Sequence, residues 1–134
     1  MEKLIKMAME ARERSYCPYS GFAVGAALQT TDGKIYQGCN IENAAFTPTN
    51  CAERTAFFKA VSEGKREFCR IAIVGGKKGD PLEMTSPCGV CLQVMQEFCD
   101  QDTFEVVLAA GESETKILKL RELLPYGFDL EKGK

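Results

Sequence analysis

The spacing of apolar positions changes along the chain between a period near 3.6 residues and a period near two, which predicts both helices and strands. Charged runs with one apolar face are typical of amphipathic helices, and short apolar runs bounded by glycine or proline are typical of buried strands. The predicted elements are a helix over 2–14, strands over 22–29 and 34–39, a helix from about 50 to 64, a strand over 70–74, a helix from about 87 to 99, strands over 105–110 and 115–118, and a short helix within 120–130.

Local signals support these bounds. Thr31-Asp32-Gly33 separates two apolar runs and is a hairpin signal. Gly75-Gly76 is expected to end the third strand, and Pro125 is expected to break the last helix. The first helix should bury one apolar face, formed by Leu4, Ala8 and Ala11 with Ile5 beside it.

The order α-β-β-α-β-α-β-β-α predicts an α/β fold. Mixed alternation of this kind implies a sheet with helices on both faces. We therefore expect a three-layer α/β/α arrangement with a mixed sheet of about five strands. The chain has 134 residues and shows no repeat or linker, so a single domain over 1–134 is predicted.

The composition of the chain excludes several types of catalytic site and partner. The chain has no His, which excludes every mechanism that needs an imidazole and leaves thiolates or carboxylates as zinc ligands. Seventeen Lys and Arg face nineteen Asp and Glu, so there is no basic excess for binding a nucleic acid polymer. No apolar run is long enough to span a membrane, and the charged N-terminus does not resemble a signal peptide. A small-molecule partner and a cytoplasmic location are expected.

The chain contains seven cysteines. An odd number in a chain of cytosolic character favours metal binding or burial over a disulfide framework. Four of the cysteines have no neighbour at ligand spacing and are expected to be small buried hydrophobes; they are Cys17, Cys39, Cys69 and Cys99.

Two segments place the other cysteines in the first turn of a predicted helix. They are Asn50-Cys51-Ala52-Glu53-Arg54 and Pro87-Cys88-Gly89-Val90-Cys91. Helix N-termini stabilise thiolates, and three thiolates with one open position are the pattern of a catalytic zinc site. Glu53 would stand beside the metal as a proton carrier. Arg54 would offset the excess negative charge of three thiolates.

Each segment alone also has a simpler interpretation. Asn50 followed by Glu53 resembles a helix capping box without any chemistry. Cys88 and Cys91 could be a redox pair, and a lone Cys51 would usually be a core residue. The two segments together favour the metal site.

Four motifs occur in the order and spacing of one known family. They are FAVGAAL at 22–28, NIENAA at 40–45, CAERTA at 51–56 and SPCGVC at 86–91. The chain therefore resembles the zinc-dependent deaminases, whose signature joins a metal ligand and a Glu to a later Pro-Cys-x-x-Cys. It looks most like the short cytidine deaminases of the three-cysteine kind, and the resemblance covers nearly the whole chain.

The resemblance implies a role for each motif residue. Cys51, Cys88 and Cys91 would bind one Zn²⁺ per chain, and Glu53 would carry protons from the attacking water to the pyrimidine ring and the leaving ammonia.

The resemblance also implies a nucleoside site. Asn40 and Glu42 would hold the ribose hydroxyls, and Phe22 would pack against the pyrimidine. The backbone around Ala52 and Ser86 would contact the amide edge and the exocyclic amine.

Chains this short in the family form homotetramers in which neighbours complete each site, so Ala44, Phe46 and Phe128 are candidates for contacts between subunits. Three positions depart from the family pattern: Phe46 where Tyr is usual, Leu92 where Arg often follows the second cysteine of the pair, and Tyr126 where residues tend to be small. Because position 92 is Leu and not Arg, one positive neighbour of the thiolates is missing, and Arg54 is expected to supply more of the compensating charge.

The activity implied is zinc-dependent hydrolytic deamination of cytidine and 2′-deoxycytidine to uridine and 2′-deoxyuridine, a step of pyrimidine salvage. Three alternatives stay open at this point: a deaminase of another aminopyrimidine such as blasticidin S, a non-catalytic zinc or thiol module, and a redox Cys-x-x-Cys protein. The segment 40–43, NIEN, favours a ribonucleoside.

Overall fold

A computed structural model describes residues 1–130, and every predicted element is present in the predicted order. The elements are α1 Glu2–Arg12, β1 Phe22–Thr30, β2 Ile35–Cys39, α2 Ala52–Ser62, β3 Phe68–Lys77, α3 Gly89–Phe98, β4 Glu105–Ala109, β5 Thr115–Lys119 and α4 Leu120–Leu123. The domain predicted over 1–134 extends beyond the described residues and stays a prediction for the whole chain.

The five strands form one mixed sheet in the order β2-β1-β3-β4-β5. Strands β3 and β4 are parallel and are joined through α3, whereas the other neighbours are antiparallel. A parallel pair needs such a crossover, and a helix is its usual form. The predicted mixed sheet of five strands is confirmed.

Helices cover both faces of the sheet, as predicted for an α/β/α fold. Helix α1 buries Leu4, Ile5 and Ala8 against one face, together with Val74 and Val107. Helices α2 and α3 bury the other face, where Phe57 contacts Phe68 and Phe104 at centroid distances of 5.1 and 6.1 Å. Among residues 1–130, no helix is both long and apolar enough to cross a membrane.

Strand β3 is longer than predicted, because Gly75-Gly76 continues the strand instead of ending it. These glycines pair with Val24 and Ala23 of β1. A Cβ at Gly75 would lie 2.5 Å from Thr85 Oγ1, so the missing side chain makes room for the loop after β3. The glycines therefore allow that loop to pack on the strand just before Ser86 and α3.

A second glycine brings α2 close to the sheet. A Cβ at Gly38 in β2 would lie 2.3 Å from the Ala52 carbonyl oxygen and 2.6 Å from the Ala56 nitrogen. No residue with a side chain fits there without moving the first turn of α2. Gly38 thus sets the height of that turn above the sheet.

Candidate active site

Three cysteine thiols meet at the starts of two helices. Cys51 is the N-cap of α2, Cys88 is the N-cap of α3, and Cys91 lies in the first turn of α3. The Cys51 and Cys88 sulfurs are 3.7 Å apart, and the Cys88 and Cys91 sulfurs are 3.5 Å apart. The N-termini of α2 and α3 therefore converge on one point.

The spacing of these sulfurs fits zinc. In a tetrahedral site with Zn–S bonds of about 2.3 Å, neighbouring sulfurs lie about 3.8 Å apart. Neither N-cap cysteine uses its sulfur to cap its helix, so both sulfurs are available to a metal. Within residues 1–130 the three cysteines are the one group of His, Cys, Asp or Glu side chains close enough to hold an ion. Three protein ligands leave one position open, as in catalytic zinc sites.

Arg54 supplies positive charge to the sulfurs. Its Nη2 donates to Cys51 Sγ at 3.1 Å. The pKa of Cys51 falls to about 5, because the Cys91 thiol donates to its sulfur and Arg54 lies beside it. The same contact with Cys51, together with burial, raises the pKa of Cys91. Leu92 is buried in the core and carries no charge, and the positive charge in contact with Cys51 Sγ comes from Arg54.

Glu53 is buried beside the thiols, with 4% of its surface exposed. Burial, with a smaller contribution from the nearby Cys51 thiolate, raises the pKa of this carboxyl to about 7. A carboxyl that titrates near neutral pH can both accept and donate a proton under ordinary conditions.

The capping-box interpretation of Asn50 and Glu53 is wrong. The N-cap of α2 is Cys51, not Asn50. The Asn50 amide donates to Thr55 Oγ1 at 3.2 Å instead of capping the helix. Glu53 is therefore not part of a capping box.

A cavity of about 230 Å³ opens beside the thiols and Glu53. Four of the predicted substrate residues line it: Asn40, Glu42, Ala52 and Ser86. Residues that the sequence reasoning missed also line it: Val24, Thr49, Asn50 and Thr85. Thr85 and Asn50 directly precede predicted site residues, which is the signal that could have identified them.

Asn40 and Glu42 are held by hydrogen bonds at the edge of this cavity. Asn40 Oδ1 accepts from the Val24 nitrogen at 2.9 Å, and its Nδ2 donates to the Phe22 carbonyl at 2.8 Å. Glu42 Oε1 accepts from the Tyr19 nitrogen at 3.0 Å. Both side chains are thereby oriented before any ligand binds.

Phe22 does not line the cavity in the single chain. It begins β1, is half-buried, and contributes its carbonyl to Asn40. Val24, two residues further along the same strand, occupies the cavity wall. Residues two apart on a strand share a face, so Phe22 lies on the same face of β1 as Val24, the residue that lines the cavity.

The three candidates for contacts between subunits are exposed and lie outside this cavity. Ala44 and Phe46 belong to the loop after β2, and 82% of the Phe46 surface is exposed. Phe46 lines a neighbouring cavity of about 280 Å³ that also includes Glu42. The Phe128 carbonyl accepts a hydrogen bond from Gln93 Nε2 at 2.9 Å, which ties the C-terminal segment to α3.

The remaining cysteines follow the prediction in part. Cys17 is buried, as expected, but Cys39, Cys69 and Cys99 are only half-buried, so the prediction of full burial is wrong for these three. Cys39 lies on the edge strand β2, which among residues 1–130 pairs with β1 alone. All seven cysteines are free thiols in the structure.

Known proteins with similar sequences and structures include cytidine deaminases. The family model described as "Cytidine and deoxycytidylate deaminase zinc-binding region" matches residues 1–107. A cytidine deaminase of Sporosarcina psychrophila is 50% identical over 131 residues, which cover 98% of this chain and 93% of that protein. The 1.6 Å crystal structure of a cytidine deaminase from Burkholderia pseudomallei superposes with a TM-score of 0.84 at 47% identity, covering 94% of this chain and 97% of that one.

A blasticidin-S deaminase of Bacillus cereus is more distant. It is 32% identical over 108 residues, which cover 76% of this chain and 74% of that protein. The similarity to the two cytidine deaminases is higher in identity and extends over more of the chain.

Proposed function

The chain belongs to the cytidine and deoxycytidylate deaminase family, and from this premise we propose that it deaminates cytidine and 2′-deoxycytidine hydrolytically. The products are uridine or 2′-deoxyuridine and ammonia. The observation that carries the proposal is the buried Glu53 carboxyl in a cavity whose wall contains Cys51 and Cys88.

Cys51, Cys88 and Cys91 would hold the zinc ion. When bound, zinc supplies a water that loses its proton near neutral pH. The rest of the chemistry falls to the protein. The two helix N-termini and Arg54 stabilise the three thiolates.

Glu53 is the proton carrier of the proposed reaction. It accepts a proton from the attacking water while the water oxygen bonds to C4 of the pyrimidine. It then delivers that proton to ring atom N3. A second transfer through Glu53, from the new hydroxyl to the exocyclic amine, accompanies cleavage of the C4–N bond and release of ammonia. A pKa of about 7 suits a group that alternates between base and acid.

Substrate recognition is assigned to the walls of the same cavity. Asn40 and Glu42 bind the sugar hydroxyls, since together they present donor and acceptor atoms. The backbone at Ala52 and Ser86 contacts the edge of the base. Phe22 packs against the pyrimidine from the start of β1, which requires that its ring turn towards the cavity when the nucleoside is bound.

The proposal includes a homotetramer and a cytoplasmic location, both of which stay predictions. Support for the assembly comes from exposed aromatic side chains beside the site. Tyr19 and Phe46 are 61% and 82% exposed and share one cavity wall. Exposed apolar surface next to a ligand site is typical of a surface that another protein covers.

The proposal is tested by ammonia release from a substrate panel. Purified zinc-loaded protein is given cytidine, 2′-deoxycytidine, cytosine and blasticidin S, and the ultraviolet change is recorded in parallel. We expect both nucleosides to be deaminated and to exceed cytosine and blasticidin S in kcat/KM. Preferred turnover of blasticidin S would assign the chain to that substrate. Bound zinc without turnover of any compound would indicate a non-catalytic module.

A further inference from the structure

The carboxylate of Glu42 is fixed by the loop that precedes β1. Its Oε1 accepts from the Tyr19 nitrogen at 3.0 Å and from the Ser20 nitrogen at 3.1 Å. Its Oε2 accepts from the Ser20 hydroxyl. Two adjacent backbone N–H groups and one side chain therefore hold both oxygens of a carboxylate that lies in the wall of the substrate cavity.

This arrangement leaves Glu42 little remaining capacity. An ionised carboxylate has about four acceptor positions. Three are taken by the donors from Tyr19 and Ser20, so about one remains for a ligand. The pKa of Glu42 is lowered, chiefly by the Ser20 hydroxyl, which keeps the group ionised and able only to accept. The ligand atom that Glu42 recognises must therefore be a donor, such as a sugar hydroxyl.

The Ser20 hydroxyl is oriented by a second contact. Ser20 Oγ accepts from the Phe22 nitrogen at 3.0 Å while it donates to Glu42 Oε2. Because a hydroxyl has one proton, the bond from Phe22 leaves that proton directed at Glu42. Within the described residues, Ser20 is the one side chain that donates to Glu42 in a hydrogen bond of the structure.

We propose that Ser20 is a positioning residue that sets the enzyme's selectivity for nucleosides with sugar hydroxyls, acting through the orientation of Glu42. The proposal rests on the proposed function, in which Glu42 binds the sugar. Without the Ser20 hydroxyl, Oε2 loses its fixed direction, and the two backbone donors alone hold Oε1. The remaining acceptor position of the Glu42 carboxylate then no longer has a fixed direction in the cavity.

The expected effect is on binding and not on chemistry. Ser20→Ala should raise KM for cytidine roughly three- to tenfold, the effect of losing about one ordinary hydrogen bond, because the contact to the sugar is weakened and not removed. The value of kcat should stay near that of the parent, because Glu53 and the thiols are untouched. Turnover of 2′,3′-dideoxycytidine, which has no ring hydroxyls, should change little.

The experiment measures kcat and KM of the zinc-loaded enzyme for cytidine and for 2′,3′-dideoxycytidine. Four proteins are compared: the parent, Ser20→Ala, Ser20→Thr and Ser15→Ala. Ser20→Thr retains the hydroxyl and should keep the parent's selectivity. Ser15→Ala is the matched control, since the Ser15 hydroxyl contacts Cys17 Sγ at 3.6 Å in the same loop region and is not a cavity residue. Thermal unfolding confirms that each variant is folded.

A double-mutant cycle identifies the route of the effect. If Ser20 acts through Glu42, Ser20→Ala should have a smaller effect on the cytidine to dideoxycytidine ratio in the Glu42→Gln background than in the parent. An unchanged ratio in Ser20→Ala, or an equal effect in both backgrounds, overturns the proposal. If the parent itself deaminates neither nucleoside, the proposed function fails and this role fails with it. Turnover by the parent with an unchanged ratio removes the role of Ser20 alone.

Discussion

Glu53 is the one acidic side chain that is fully buried among residues 1–130. Burial disfavours the ionised form of a carboxyl, and it raises the pKa of Glu53 to about 7. Its burial next to three thiols has no structural explanation in helix capping, because Cys51 occupies the N-cap. The burial of Glu53 beside the thiols is consistent with a role in proton transfer.

We expect Glu53→Gln to retain the fold and the bound zinc but to lose turnover by roughly 100- to 10,000-fold, the usual contribution of a general acid–base group. Glutamine keeps the shape of the side chain and removes its ability to carry a proton. Metal analysis and steady-state assays on the same sample give the measurement. Glu53→Ala should behave likewise, and near-normal turnover in either variant would contradict the proton-carrier role.

Arg54 is the residue that offsets the charge of the three thiolates. Its Nη2 donates a hydrogen bond to Cys51 Sγ at 3.1 Å, which holds the guanidinium at the site. Its Nε is buried and has no hydrogen-bond partner among residues 1–130. We expect Arg54→Ala to weaken zinc affinity or activity by about 10- to 100-fold, as removal of a residue supporting metal ligands usually does.

The measurement for Arg54 is a competition between the protein and a chelator for zinc, followed by an assay at full zinc occupancy. Arg54→Lys is the control, because it keeps the charge and loses the planar fork of donors. It should lie between the parent and Arg54→Ala. An alanine variant that matches the parent in both zinc affinity and turnover would refute the role.

The residues of the site were largely predictable, because cysteine spacing and helix starts are local features of a sequence. The sequence did not determine which of two nearby positions, one or two residues apart, has a given role. It suggested Asn50 as a cap where Cys51 is the cap, and Phe22 as the cavity residue where Val24 lines the wall. Each choice depends on how α2 and β1 pack, and such contacts come from distant parts of the chain.

At the level of elements, the approach of α2 to β2 positions Cys51 and Glu53. Gly38 makes that approach possible, since a Cβ there would lie 2.3 Å from the Ala52 carbonyl oxygen. Gly25 makes a similar approach possible for α1 on the opposite face, where a Cβ would lie 2.0 Å from the Ala8 carbonyl oxygen.

We expect Gly38→Ala and Gly25→Ala each to reduce the free energy of unfolding by about 1–3 kcal/mol, the typical cost of overpacking. Gly38→Ala alone should also weaken zinc binding and turnover, because it displaces the helix that bears a ligand. Urea unfolding, zinc competition and assays on both variants provide the test. Equal losses of turnover in the two variants would mean that Gly38 has no particular influence on the site.

Element order and type were predicted correctly because the periodic patterns are strong. Bounds were less predictable where tertiary contacts override local signals. Gly75-Gly76 usually marks the end of a strand, but here the pair extends β3 because the loop containing Thr85 packs directly on it. The half-buried Cys39 shows the same limit, since edge position in a sheet is a property of strand order and not of the local sequence.

For the whole molecule, the resemblance to the short cytidine deaminases predicts a homotetramer, and the exposed aromatic side chains beside the cavity are candidates for contacts between its subunits. Sedimentation velocity should give a species of about four times the 14.8 kDa mass of one chain. Phe46→Asp should shift the protein to smaller species, because it places a charge on a side chain that is 82% exposed in the single chain. Phe46→Tyr keeps the ring and should preserve the assembly. A monomeric parent, or a tetramer that Phe46→Asp leaves intact, would contradict this prediction.

In the proposed function, one zinc ion held by Cys51, Cys88 and Cys91 makes the chain a cytidine deaminase. The most direct test of this function is to remove the metal with a chelator, return zinc in fractional steps, and measure cytidine deamination at each step. We expect no turnover without metal and a linear rise in turnover that stops at one zinc per chain. Turnover that is independent of zinc, or full zinc binding without turnover, would contradict the proposed function.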